Sequence, residues 1–194
     1  ARHVAGDSKA RITRTAWSPD GKQLAYVTDT TGEQQIWLVD QSGKGTPRQL
    51  TKDNDNWILS MGWSADGKRL FYTDKRMRLY DVSVATGSAA LVDLGSVNRI
   101  TDATYSRDGS LLAYVKPEEN GYGSIWIHSI NTKENFRITD SFNNDFSPSF
   151  DPKGRYLYFS SQRNFDLVGN AFEWRYVHRL TDLIYVVRLF EDSE

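Results

Sequence analysis

The sequence predicts an all-β fold, a β-propeller of four four-stranded antiparallel blades, and three observations predict it. One short phrase occurs four times: an aromatic residue, Ser or Asp, any residue, Asp or Lys, then Gly. It reads Trp17-Ser18-Pro19-Asp20-Gly21, Trp63-Ser64-Ala65-Asp66-Gly67, Tyr105-Ser106-Arg107-Asp108-Gly109 and Phe150-Asp151-Pro152-Lys153-Gly154. The glycines stand 46, 42 and 45 residues apart, and a period of about 40–50 residues around a strand–turn–strand core marks a propeller blade. An apolar run follows each copy, and no helical period of 3.6 appears, which excludes TPR and ankyrin arrays.

Each repeat divides into four strands. The first, Ile12 to Trp17 in the leading copy, ends at the Asp-Gly turn, where Gly supplies the positive φ of a tight hairpin. The second is Leu24-Ala25-Tyr26-Val27, Leu70-Phe71-Tyr72, Leu112-Ala113-Tyr114-Val115 or Tyr156-Leu157-Tyr158-Phe159. These runs are apolar on both faces, as strands covered on both sides are. An aliphatic–aromatic pair marks the third strand: Ile36-Trp37, Leu79-Tyr80, Ile125-Trp126 and Ile184-Tyr185. An outer strand follows at Arg48-Gln49-Leu50-Thr51, Ala90-Leu91-Val92 and Phe136-Arg137-Ile138-Thr139. Arg11-Ile12-Thr13 stands before Trp17 as Arg99-Ile100-Thr101 stands before Tyr105, so the first strands echo one another. A single propeller segment, 1–194, results, with repeats at about 11–51, 57–93, 99–139 and 145–190. One such sheet cannot bury two apolar faces alone, so blades must stack.

Composition bounds the function. The 24 Lys and Arg balance 25 Asp and Glu, for a net charge of -1, which argues against a nucleic-acid stripe and a polybasic membrane patch. Aromatics at 13%, with many Val, Ile and Thr, lean towards sheet. Without cysteine there is neither a disulfide framework nor thiolate chemistry, which fits a reducing cytoplasm. No apolar run approaches the ~18 residues of a membrane span. The start at Ala1-Arg2-His3 lacks an initiating Met and an apolar signal core, as an internal piece of a longer protein would.

Two departures from the repeat stand out. From Gly154 to Ile184 there are 30 residues, against 15, 12 and 16 at the same place in the other copies. The excess is an insertion at about 162–181, rich in Phe165, Phe172, Trp174, Arg175, Tyr176, His178 and Arg179; it reads either as an edge cap or as a binding element. The other departure is the strand count. Repeat four reaches Glu194 with no outer strand, while Ala1–Ala5 is available as one. Ala1–Ala5 either pairs beside Ile184–Leu189 and closes a four-bladed ring, or the chain is part of a larger propeller.

Catalytic and metal chemistry find no footing in the residue patterns. Only His3, His128 and His178 are present, and no Gly-x-Ser-x-Gly elbow or His-Glu-x-x-His occurs. Ser18, Ser64 and Ser106 occupy equivalent positions, which reads as turn capping. Asp53-Asn54-Asp55-Asn56 opens like a calcium loop, but its sixth residue is Ile58 and its twelfth Ser64, where Gly and Glu are required. Gly43-Lys44-Gly45-Thr46 lacks the spacing of a phosphate loop. No catalytic residue, metal ligand or cofactor is expected.

The phrase Trp-Ser-Pro-Asp-Gly-Lys, with Leu-Ala-Tyr-Val and Ile-Trp-Leu-Val-Asp after it, resembles the propeller repeats of TolB-type proteins, prolyl-oligopeptidase relatives and tricorn proteases. The stretch from Phe142 to Asp166, the long insertion and the closing Leu183–Leu189 resemble the last blade of the second propeller in tricorn proteases. That resemblance implies a large cytoplasmic serine peptidase that trims proteasome-released oligopeptides and assembles as a homo-oligomer, a hexamer. It further implies the order six-bladed propeller, seven-bladed propeller, PDZ domain, catalytic domains. This chain then corresponds to about the last four blades of the seven-bladed propeller, with the catalytic Ser, His and Glu outside it. Its implied role is a channel admitting extended oligopeptides. Polar residues just before first strands, Asn56, Arg99 and Asn144, are the candidates for the channel rim. Nucleic acid and membrane are not expected partners. A TolB- or WD-like interaction scaffold is the alternative, and a propeller lid on an α/β-hydrolase peptidase a third.

Overall fold

The aromatic-x-x-Asp-Gly phrase folds the same way at each of its four positions. In the first, Ser18 Oγ donates to Asp20 Oδ1 (2.7 Å) and accepts from the Gln23 amide (2.9 Å), while the Lys22 amide donates to Asp20 Oδ1 (3.1 Å). Ser64 with Asp66, and Ser106 with Asp108, repeat this pattern. In the fourth copy Asp151 stands where the others have Ser, and its carboxylate alone accepts from the Tyr156 amide (2.8 Å) and the Lys153 amide (3.1 Å). That substitution frees the next Asp position to be Lys153. The four glycines hold φ between 69° and 71°, left-handed backbone that any Cβ would strain.

These turns join strands in a computed structural model that describes residues 3–6, 9–163, 167–169, 176–178 and 182–190, with the backbone alone for 167–169 and 176–178. The first blade is β1 (Ile12–Trp17), β2 (Gln23–Thr28), β3 (Gln35–Asp40) and β4 (Arg48–Gln49). The second is β5 (Ile58–Trp63), β6 (Arg69–Asp74), β7 (Arg78–Ser83) and β8 (Ala89–Leu94). The third is β9 (Thr101–Tyr105), β10 (Leu111–Pro117), β11 (Gly123–Ser129) and β12 (Asn135–Arg137). Each runs as a four-stranded antiparallel meander. The fourth contains β13 (Asp145–Phe150), β14 (Tyr156–Ser161) and β17 (Leu183–Arg188), a three-stranded sheet among the described residues. Between β14 and β17, β15 (Leu167–Gly169) and β16 (Tyr176–His178) form a separate antiparallel hairpin. The remainder of the 162–181 insertion after Arg163, including Phe165, Phe172, Trp174, Arg175 and Arg179, lies outside the described residues, apart from Asp182 onward. Among the described residues no helix is long and apolar enough to cross a membrane.

Two outer strands are shorter than the sequence suggests, for one reason. The amides of Leu50 and Thr51 both donate to the Ile36 carbonyl, and Thr51 Oγ1 accepts from the Ile36 amide (2.9 Å). Ile138 and Thr139 treat Ile125 identically. The threonine hydroxyl replaces a ladder bond and steers the chain off the edge towards the next blade. The segment Ala1–Ala5, open between two placements, is described in part. Residues 3–6 are not a strand, and Val4 packs against Gly43 in the first blade. Among the described residues β17 pairs with β14 alone, so of the two alternatives the ring-closing pair is not seen there.

Burial follows from stacking. One core joins Ala25, Val27, Ile36 and Leu38 of the first blade to Leu70, Tyr72 and Val82 of the second. A second joins Phe71, Leu79 and Val92 to Tyr105, Leu112 and Tyr114 of the third, and another joins Val115, Ile125 and Ile127 to Leu157 and Phe159 of the fourth. The phrase's aromatic residue reaches back by a hydrogen bond at the first two seams. Trp63 Nε1 donates to the Ala16 carbonyl (3.0 Å), and Tyr105 Oη donates to Asp81 Oδ1 (2.7 Å), which also pairs with Arg69. Gly87, at φ 76°, lets its turn approach the first blade, since a Cβ there would lie 2.3 Å from the Leu50 carbonyl oxygen.

Two outcomes follow from this packing. Leu112→Ala, at a fully buried position of the second seam, is expected to lose about 2–5 kcal/mol of stability, read as a lower urea midpoint. The Ser106 hydroxyl, then the Ser110 hydroxyl and amide, hold the Asp108 carboxyl below its ordinary range against a smaller opposing effect of burial. Stability from that turn is therefore present above an aspartate's unfolded value of about 4 and is lost as pH falls through the lowered folded value. Ser106→Ala moves the Asp108 titration upward in a carboxyl NMR experiment; an unmoved midpoint contradicts the assignment.

Candidate functional site

Strands β1, β5, β9 and β13 neighbour one another from blade to blade, so they are the inner strands and line the axis. Every one of them carries a β-bulge, and in each the extra residue is on the inner strand. Thr13 is extra between the pairs Ile12–Thr28 and Arg14–Val27, as Leu59 is between Ile58–Asp74 and Ser60–Thr73. Asp102 and Ala103 together face Tyr114, and Ser147 and Pro148 together face Phe159. Asp102 and Ser147 hold φ of 50° and 53°, a left-handed backbone uncommon outside glycine.

The residue three places before the repeated aromatic, Arg14, Ser60, Asp102 and Ser147, is polar in every blade. Two of them, Arg14 and Asp102, tie neighbouring blades together at the axis. Arg14 Nε donates to the Leu59 carbonyl of the second blade (2.8 Å) and its Nη1 to the Thr13 carbonyl (2.7 Å). Asp102 Oδ2 accepts from the Ser147 amide of the fourth blade (3.0 Å). Ser60 is too short to do the same; its hydroxyl bonds Thr73 of its own blade (2.6 Å). The axial tie between the second and third blades is therefore missing, and a cleft of about 310 Å³ opens there, lined by Arg14, Ser60, Thr73, Arg99, Thr101 and Asp102. No carboxylate pairs with the guanidinium of Arg14 or of Arg99 among the described residues. The groove thus holds two cations and one carboxylate already engaged by a backbone amide.

Of the residues expected at a rim, only Arg99 lies in this groove, where it is exposed. Asn56 is engaged locally: its Oδ1 accepts from the Trp57 amide (2.8 Å), as Asn98 Oδ1 does from the Arg99 amide (2.8 Å). Asn144 pins the entry to the fourth blade, accepting from the Gly123 amide (2.9 Å) and donating to Gln162 Oε1 (3.0 Å). Asp145 beside it is fully buried and pairs with Arg163 (2.9 Å). Sequence reasoning passed over Arg14, Ser60 and Asp102, although a polar residue two places after Ile12, Ile58 and Ile100 was visible in the repeat.

Elsewhere the polar residues are committed to the fold. Asp55 bonds Arg76 and Arg78, and Asn54 Nδ2 donates to the Gln34 carbonyl (2.6 Å), so this acidic stretch is a linker between blades. His128 Nδ1 bonds Asn135 Oδ1 (2.7 Å) in a buried strand pair, His3 is exposed, and the side chain of His178 lies outside the described residues. No group of three or more His, Cys, Asp or Glu is placed to hold a metal ion among the described residues. A second cleft, of about 280 Å³, sits between the first two blades beside Asn54 and the stacked rings of Tyr72 and Tyr80.

Four blades with bulged inner strands and a last blade carrying an inserted hairpin match one family model along residues 1–194, the tricorn protease second β-propeller domain. The chain belongs to this family. It is 39% identical over 148 residues to a putative tricorn-like protease C-terminal subunit of Sulfurisphaera tokodaii, across 76% of this chain and 16% of that protein. It is 35% identical over 129 residues to a tricorn protease homolog of Saccharolobus solfataricus, across 66% of this chain and 12% of that one. The chain thus spans less than a fifth of the length of these relatives. The crystal structure of the tricorn protease superposes with a TM-score of 0.83 at 22% identity, over 92% of this chain and 18% of that one, which shows the shared fold. A putative TolB from Agrobacterium tumefaciens superposes with a TM-score of 0.59 at 25% identity, over 90% of this chain and 60% of that one.

The bulge at Asp102 generates a graded prediction. Asp102→Ala removes the acceptor of the Ser147 amide and puts a Cβ-bearing, non-capping residue at positive φ; stability falls by about 1–3 kcal/mol. Asp102→Asn, which tolerates left-handed backbone and keeps an acceptor, loses less than half of that. Equal losses in paired urea titrations would refute the tie.

Proposed function

We propose that residues 1–194 form one propeller segment that walls a channel and admits extended oligopeptides to a serine-peptidase site outside this chain. The observation that carries this reading is the axial groove at the missing tie between the second and third blades. It runs beside inner strands and is polar, and Arg14 and Arg99 give it free positive charge. A chain lying along the axis meets rigid, close-packed sheets on its flanks, so width excludes folded proteins while an extended segment fits. Family membership supports placing the segment within a larger tricorn-type polypeptide. In that polypeptide the segment makes no covalent contribution; PDZ and catalytic domains, a homo-oligomeric cytoplasmic assembly and oligopeptide substrates are the partners this reading takes from the family.

An interaction scaffold of the TolB kind is the second reading, favoured by the TolB superposition. Charge reversal separates the two. In the tricorn-type polypeptide that carries this segment, Arg14→Glu with Arg99→Glu is expected to lower kcat/KM for acidic oligopeptides about two- to fivefold, the worth of one or two exposed charge contacts. Basic oligopeptides should lose less. Unchanged turnover of both classes favours the scaffold.

A further inference from the structure

An inner strand presents one unpaired edge of N–H and C=O groups to the axis. A peptide running along that axis is parallel or antiparallel to four such edges at once, the geometry in which an extended chain adds to a sheet as a further strand. Strand addition would hold a peptide by its backbone, whatever its sequence, and would arrest it. The inner strands here are built against that outcome in several independent ways. All four carry a bulge whose extra residue interrupts the regular edge, and a bulge twists an edge away from a would-be partner. Asp102 and Ser147 turn left-handed at that point, so their amide and carbonyl cannot keep ladder alternation. In the fourth blade Pro148 has no N–H to donate. The Leu59 carbonyl and the Ser147 amide are occupied, by Arg14 and Asp102 of the adjacent blade. Charged Arg14 and Asp102 stand on the edge itself, a further barrier to pairing.

The seam cores lie mainly on the faces of β2, β3, β6, β7, β10, β11 and β14, away from this edge. We infer that the axial wall refuses strand addition, so that an extended chain in the groove is engaged through its side chains and not through its backbone. This rests on the channel reading and deepens it: the acceptable substrate is any extended oligopeptide, graded by side-chain charge and not by β-propensity.

The test uses this chain and two synthetic peptides of about ten residues, alternating Val or Thr with Glu. One is unmodified; the other is N-methylated at alternate amides, which deletes the donors of one strand edge and leaves every side chain. Titration of each, followed by fluorescence anisotropy of a terminal dye, is expected to give affinities within about twofold of each other. A more than tenfold weaker N-methylated peptide, the effect of losing two or more backbone hydrogen bonds, overturns the inference while leaving the channel reading intact. If neither peptide binds, the wall still captures no backbone, and it is the channel reading that suffers. Deleting Asp102 restores two-for-two pairing in β9, and the folded variant, confirmed by its far-UV spectrum, should gain binding that N-methylation abolishes. A folded variant that gains none also overturns the inference, and should the variant fail to fold, the peptide comparison on the unaltered chain decides alone.

Discussion

Everything in this molecule depends on one constraint: a four-stranded sheet with two apolar faces is stable only when another sheet covers each of them. The three seams meet it by burying aliphatic residues from the central strands of both neighbours, at roughly 25 cal/mol per Å² of apolar surface removed from water. The first two seams add one directional contact each from the repeated aromatic. Trp63 reaches the Ala16 carbonyl and Tyr105 reaches Asp81, whereas Phe150, with no polar atom, only packs. Asp81 shows how tightly the second seam is specified. Its carboxylate is buried, and burial together with its negative charge pushes the Tyr105 phenol far up, so the phenol stays a donor while Arg69 neutralises the acid. Removing one member would leave a buried charge or donor unmatched, a larger loss than the net worth of the bond.

Because the faces do the stabilising, the inner edges are free to vary. That division of labour explains why the inner strands tolerate extra bulge residues and left-handed, non-glycine backbone that the second and third strands do not carry among the described residues. It also explains the position of the groove. Arg14 and Asp102 span the gap to the next blade and Ser60 does not, although all three hold the same place in the repeat. A single short side chain therefore decides where the axial wall opens, and the opening falls between two arginines that have no carboxylate partner among the described residues.

Much of the fold was legible because it is written four times. The phrase has a local physical meaning, a left-handed glycine in a turn whose one or two polar side chains accept two amides, and repetition makes a weak signal strong. The Thr51 and Thr139 exits were hidden, since a threonine at the end of a β-run reads as strand until its hydroxyl is seen replacing a ladder bond. The N-terminal segment was open between two placements for a related reason: Val4 is apolar enough for an edge strand, but Gly43 offers it a surface to pack on instead. The site was less legible than the fold. Asn56 and Asn144 were chosen for their place before first strands, and that place demands amide-capping groups, which is what they are. Arg14, Ser60 and Asp102 lie inside strands, where a polar residue at one position of a bulged edge cannot be told from an ordinary solvent-facing residue until the blades are assembled.

The two outermost blade faces complete the argument from stacking. Trp17, the first aromatic of the repeat, is 55% exposed, and Ile184 and Val186 on β17 are 78% and 52% exposed. Trp63 is half-buried and Tyr105 buried, at the same place as Trp17, because a preceding blade is present, and Leu79 and Ile125, at the same place as Ile184, are fully buried because a following blade is present. The exposed residues are thus the two unmatched halves of an interface that the chain forms three times with itself. An apolar sheet face of this kind favours association, and its complement has a known shape: the aromatic, the reach back across the seam and the aliphatic rows of β2 and β3. Any sheet that satisfies one face must carry the features of a blade, which is why the seam, and not the turn, is the unit that this repeat encodes.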